Sequence, residues 1–116
     1  ARLFLNRGDG RFDERSAEVG LDDRGQGRGV VCFDYDRDGD IDIFVANVLQ
    51  PPRLFRNDTV SDHHSLTIQL LGRRPNTEAI GARIAVSSHL VGRQIRELRA
   101  GTNYVSQDPA EAHFGL

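Results

Sequence analysis

Five aspartates stand at alternate positions in the run Asp34-Tyr35-Asp36-Arg37-Asp38-Gly39-Asp40-Ile41-Asp42. Carboxylates this close raise one another's pKa and repel unless a cation sits among them. Alternate spacing lets Asp34, Asp36 and Asp38 turn inward together when the backbone coils around a central ion. Gly39 then supplies the sharp turn, the peptide oxygen of Asp40 adds a ligand, and Asp42 closes the shell. Six to eight hard oxygen ligands in a flexible loop are what Ca2+ takes. The plain alternative is a solvated acidic turn, but such turns are rarely this dense. The expected ligands are therefore Asp34, Asp36, Asp38, Asp40 (through its backbone) and Asp42.

The loop is not an EF-hand. That motif needs a bidentate glutamate at its twelfth position, and the twelfth residue from Asp34 is Val45. The flanks Gly29-Val30-Val31-Cys32-Phe33 and Ile43-Phe44-Val45-Ala46 are β-branched and aromatic runs of strand length. The pattern predicts a strand–loop–strand site closed at its ninth position. The run from Phe33 through Asn47 resembles the FG-GAP (VCBS) repeat, the blade unit of integrin-type β-propellers. The resemblance implies a loop between two adjacent blade strands, fastened by an ion held on Asp34, Asp36, Asp38, Asp40 (backbone) and Asp42.

The elements that must carry this loop are strands throughout. Arg2-Leu3-Phe4-Leu5 reads as a short strand, Asn6 to Gly10 as a tight turn of residues that accept positive φ, and Arg11-Phe12 as the return. Within that turn Arg7-Gly8-Asp9 matches an integrin-ligand tripeptide, but an N-x-G-D-G turn explains it without adhesion. Ser16 to Leu21 resembles the family's connector beneath the blade, and Asp22 to Gly29 reads as a loop. Leu3-Phe4-Leu5-Asn6 recurs as Leu54-Phe55-Arg56-Asn57, an offset of 51 residues. That is close to one four-stranded blade of a few tens of residues. Pro51-Pro52 cannot continue a ladder and marks the expected boundary between a blade unit at 1–52 and a second β unit at 53–116.

Asn57 to His64 is polar and turn-like. Beyond it, Ser65–Leu71, Ile80–Val86 and Arg93–Arg99 alternate polar and apolar residues, the period of half-buried strands. Gly72 to Glu78 is a loop, and Tyr104–Gln107 and Ala112–Leu116 read as short terminal strands. No amphipathic helix is visible, so the expected class is all-β: a propeller-blade-like antiparallel unit with a Ca2+ loop, plus a small antiparallel subdomain. Leu66-Thr67-Ile68-Gln69-Leu70, Asn76, Ala79-Ile80-Gly81-Ala82-Arg83, Arg99-Ala100-Gly101, Tyr104-Val105-Ser106-Gln107 and His113-Phe114-Gly115-Leu116 resemble the ASPIC/UnbV domain. That domain follows FG-GAP repeats in cartilage-acidic-protein-like secreted proteins. Such proteins continue past the histidine–phenylalanine–glycine step into another strand, which implies an unfilled sheet edge here that attracts a partner strand.

Composition excludes several classes. The net charge is −2, yet Asp34 to Asp42 alone carries −4, leaving +2 elsewhere and no basic field for nucleic acid. All 15 cations are arginine. No apolar run approaches the eighteen or more residues of a membrane span. The chain begins at Ala1 and has no methionine, which reads as a processed form or fragment. Cys32 is the only cysteine, ruling out an internal disulfide, and its apolar strand predicts a buried, inert thiol. His63 and His64 are neighbours that point opposite ways on an extended chain and read as solvated. His113 reads as a packing residue or a hydrogen-bonding one.

Ser106, Asp108 and His113 crowd within eight residues with no nucleophile elbow, and no P-loop or dinucleotide fingerprint occurs. Arg83, Arg96 and Arg99 read as solvent-side strand residues. The expectation is a non-enzymatic, secreted or cell-surface calcium-binding module with a structural or adhesive role. Its partners would be proteins or identical subunits, including filaments formed by strand exchange. A calcium-dependent glycan- or ligand-binding module and an accessory fragment of a larger propeller protein are the alternatives.

Overall fold

The computed structural model describes all 116 residues and contains nine strands and no helix. Strands β1 (Phe4–Asn6) and β2 (Phe12–Glu14) form a hairpin with Leu5 opposite Asp13. Its turn uses Gly8 and Gly10 at positive φ, with the Asn6 side-chain amide oxygen accepting the Gly8 amide and an Asp9 carboxylate oxygen accepting the Arg11 amide. The Arg7-Gly8-Asp9 tripeptide is thus spent on turn geometry, and Arg7 also pairs with Asp13 at 3.0 Å.

Strands β3 (Gly27–Phe33), β4 (Asp42–Asn47) and β5 (Arg53–Phe55) form an antiparallel sheet in that order. β3 and β4 flank the aspartate loop, and Phe33 lies opposite Asp42 at its mouth. β5 carries the internal echo and hydrogen-bonds to β4, so the first sheet reaches past Pro51-Pro52. Val45 is its most buried apolar side chain, and the connector contributes buried Ser16 and Leu21. Ser16 Oγ accepts the Leu3 amide at 2.7 Å, tying the hairpin to the connector.

The second unit consists of two short ribbons that share one apolar cluster. β6 (Ser65–Gln69) pairs with β9 (Glu111–Gly115), and β7 (Arg83–Ser88) pairs with β8 (Gly92–Glu97). Leu98, Ala112 and the fully buried Phe114 form the core between them, flanked by Ile68, Leu70, Ile84, Val86 and Leu116. Alternation on each strand delivers these side chains to one face. The all-β reading is borne out.

Some local expectations are corrected. Tyr104–Gln107 is not a strand: it belongs to a turn in which the Thr102 and Asn103 amides both donate to the Ser106 carbonyl. β7 begins at Arg83 rather than Ile80, because Ala79 and Gly81 take positive φ in the preceding turn. Cys32 is exposed rather than buried. It lies on the outer strand of its sheet, where local apolarity did not reveal that no layer covers it. Partial desolvation, and then the nearby Asp108 carboxylate, still push its thiol pKa up.

Candidate metal centre

The loop between β3 and β4 coils tightly, with Arg37 at φ 61° and Gly39 at φ 100°. Asp34 Oδ2 accepts the Gly39 amide at 3.0 Å, and Asp38 Oδ1 accepts the Asp40 amide at 2.9 Å. Asp42, with no exposure, closes the ring: Oδ2 accepts the Tyr35 amide at 2.9 Å and Oδ1 the Asn57 amide at 2.8 Å.

One oxygen each from Asp34, Asp36 and Asp42 comes within 4.8 Å of the others. Ca2+–oxygen bonds of 2.3–2.6 Å place opposite ligands about 5 Å apart, so the cluster has the right span. Asp34 Oδ1 is buried with no hydrogen-bond partner. An orphaned buried carboxylate oxygen is costly, and the Asp34 carboxylate that bears it adjoins those of Asp36 and Asp42. Desolvation first, then the Asp38 and Asp42 charges, raise the Asp36 pKa above the ordinary carboxylate range. Desolvation, like charge and an orphaned oxygen are all relieved by a bound divalent cation. The donor set fits Ca2+, all oxygen and acidic.

Asp38 and Asp40 lie outside that three-carboxylate cluster. The sequence did not single out Asn57, whose amide holds Asp42 from β5's far end. Its only sequence signal is the echo with Asn6, which likewise follows a Leu-Phe step. Ser65 was also missed. Its Oγ stands 2.6 Å from where a Cβ on Gly39 would sit, so the start of β6 abuts the loop.

The residues weighed as a hydrolytic triad each have a separate partner. Ser106 Oγ bonds to Val30, Asp108 Oδ1 accepts the Cys32 amide, and His113 Nδ1 lies 3.2 Å from Thr67 Oγ1. His64 exchanges backbone hydrogen bonds with Leu116 and so prolongs the β6–β9 ladder. Arg83 and Arg99 both reach Glu97, while Arg96 stacks over Phe114 at 5.2 Å.

Residues 1–45 match the family model described as FG-GAP-like repeat, and residues 72–116 match the one described as ASPIC and UnbV. A 54-residue stretch is 50% identical to cartilage acidic protein 1 of Homo sapiens, covering 46% of this chain and 8% of that relative. The counterparts of Xenopus tropicalis and Mus musculus are 48% and 46% identical over the same length and shares. The match thus spans under a tenth of these relatives. No solved structure matches. Both resemblances read from the residues are borne out.

Proposed function

We propose that this chain, which carries an FG-GAP-like repeat over residues 1–45 and an ASPIC and UnbV segment over residues 72–116, is a non-enzymatic, secreted calcium-binding module. Its role is structural or adhesive, within an extracellular assembly. The observation that carries the reading is the buried, unpartnered Asp34 Oδ1 beside the Asp36 and Asp42 carboxylates. Asp34, Asp36 and Asp42 hold the ion, and Asp38 and the Asp40 carbonyl complete the shell. Bound Ca2+ supplies the positive charge that turns carboxylate repulsion into shared coordination. Sites of this kind in extracellular modules fill at roughly 10⁻⁴–10⁻³ M free calcium, which supports a location outside the cell.

The division into 1–52 and 53–116 belongs to the same reading, with β5 as the strand by which the second unit holds the first sheet. No helix is long and apolar enough to cross a membrane. Protein partners or identical subunits are the expected contacts. Each ribbon of the second unit has only two strands, so strand addition from a neighbouring subunit is the assembly route the edges support. Titration calorimetry with CaCl2 tests the metal: one site per chain, abolished in Asp34→Asn and weaker for Mg2+, is expected. No binding at millimolar Ca2+ would refute it.

A further inference from the structure

β3 is the outer strand of its sheet, and an outer strand presents unpaired backbone groups at alternate residues. Three of those on β3 are met by side chains from a distant loop. Ser106 Oγ accepts the Val30 amide at 3.2 Å and donates to the Val30 carbonyl at 2.6 Å. Asn103 Nδ2 donates to the same carbonyl at 2.9 Å, and Asp108 Oδ1 accepts the Cys32 amide at 2.9 Å. The Thr102–Asp108 loop is braced for this task by Thr102 Oγ1, which accepts the Asp108 amide at 3.1 Å. One hydroxyl, one amide and one carboxylate replace the ladder of an absent neighbouring strand. All three come from the second unit.

The edge they hold leads directly into the aspartate loop. Cys32 lies two residues before Asp34. The same loop is touched from the second unit's side at two further points: the Asn57 amide on Asp42 Oδ1 at 2.8 Å, and Ser65 against Gly39. Three contacts from beyond Phe55 therefore bracket the acidic cluster, on its entry strand, its turn and its closing ligand.

We propose that the Thr102–Asp108 loop is a latch whose hold on β3 is coupled to cation occupancy of the Asp34–Asp36–Asp42 cluster. The coupling rests on the calcium reading above. A bound cation fixes the path of the chain from Phe33 to Asp42 and so fixes the edge that Asn103, Ser106 and Asp108 grip. Without it, carboxylate repulsion loosens that path and the latch opens before the blade sheet does. Coupling is reciprocal, so weakening the latch lowers cation affinity. Asn103, Ser106 and Asp108 are positioning residues for the metal loop, acting through β3.

Amide hydrogen exchange of the wild-type chain, read residue by residue in millimolar Ca2+ and in chelator, tests the latch. The Val30 and Cys32 amides are bonded to latch side chains alone, whereas alternation turns the Val31 and Phe33 amides toward β4. Removing Ca2+ is expected to speed exchange at Val30 and Cys32 by tenfold or more relative to Val31 and Phe33. Calorimetry of the Ser106→Ala, Asp108→Ala pair is expected to show Ca2+ affinity lowered about 5-fold or more. Asp108→Asn, which keeps the Oδ1 acceptor, is expected to bind closer to wild type. Measurable Ca2+ binding with no differential change at Val30 and Cys32 would overturn the latch and leave the calcium reading standing. Absence of Ca2+ binding by the wild-type chain would overturn both.

Discussion

Asp42 and Asp36 belong to one cluster but are expected to respond differently to substitution once Ca2+ is removed. Asp42 is fully buried, and both its oxygens accept backbone amides. Asp42→Ala leaves the Tyr35 and Asn57 amides without partners, costing about 1–3 kcal/mol for each group left unsatisfied. Its melting temperature should fall in Ca2+ and in chelator alike. Asp36 is exposed, and desolvation and its acidic neighbours raise its pKa. Asp36→Asn removes repulsion, so in chelator it should melt no lower than wild type, while in Ca2+ it should lose affinity. Paired melting curves read both signs at once.

Asp23 supplies a pH test. The Gly25 amide first, then the Asn47 side chain, hold its carboxyl below its ordinary value of 3.8, with Arg53 nearby. A lowered folded pKa gives stabilisation that is present above that ordinary value and lost as pH falls through the folded pKa. Asp36 has the opposite sign: in chelator its contribution becomes more favourable as pH falls through its raised pKa. Asp23→Asn should therefore flatten the acid limb of melting temperature against pH, and Asp36→Asn should remove the opposing rise. At this scale the sequence revealed the carboxylates, because their spacing is local. It did not reveal Asn57 or Ser65, since both reach the loop through tertiary placement.

The aspartate loop depends on a turn that only some residues can make. Gly39 sits at φ 100°, and a Cβ there would meet Ser65 Oγ at 2.6 Å. Gly39→Ala should cost about 1–3 kcal/mol from backbone strain, with thermal denaturation as the check. Phe114 fills the gap between the ribbons with no exposure. Phe114→Ala should cost about 3–5 kcal/mol and loosen the second unit. β3, β4, β6 and β8 were legible from β-branched runs and alternation; their ends shifted by one or two residues, and the start of β7 moved from Ile80 to Arg83 where the positive-φ residues Ala79 and Gly81 cut in. Tyr104–Gln107 misled because Tyr and Val favour strands, yet the segment meets β3 with side chains instead of its backbone. Cys32 misled because apolarity along a strand does not say whether that strand is central or outer.

Taken whole, the molecule buries few residues, 9 of 116, among them Asp23 and Asp42. Large apolar residues such as Leu49, Val60 and Leu71 stand almost fully exposed. So small a core contributes little apolar stabilisation by itself, and a cation bound in the aspartate loop would add to it by mass action. The central claim is that a cation among Asp34, Asp36 and Asp42 staples this structure. The most direct test is the melting temperature of the purified chain, with its size followed in parallel, in millimolar Ca2+ and again in chelator. A large fall in melting temperature on chelation, restored by adding Ca2+ back, is the predicted result. An unchanged melting temperature and size in the two conditions would contradict it.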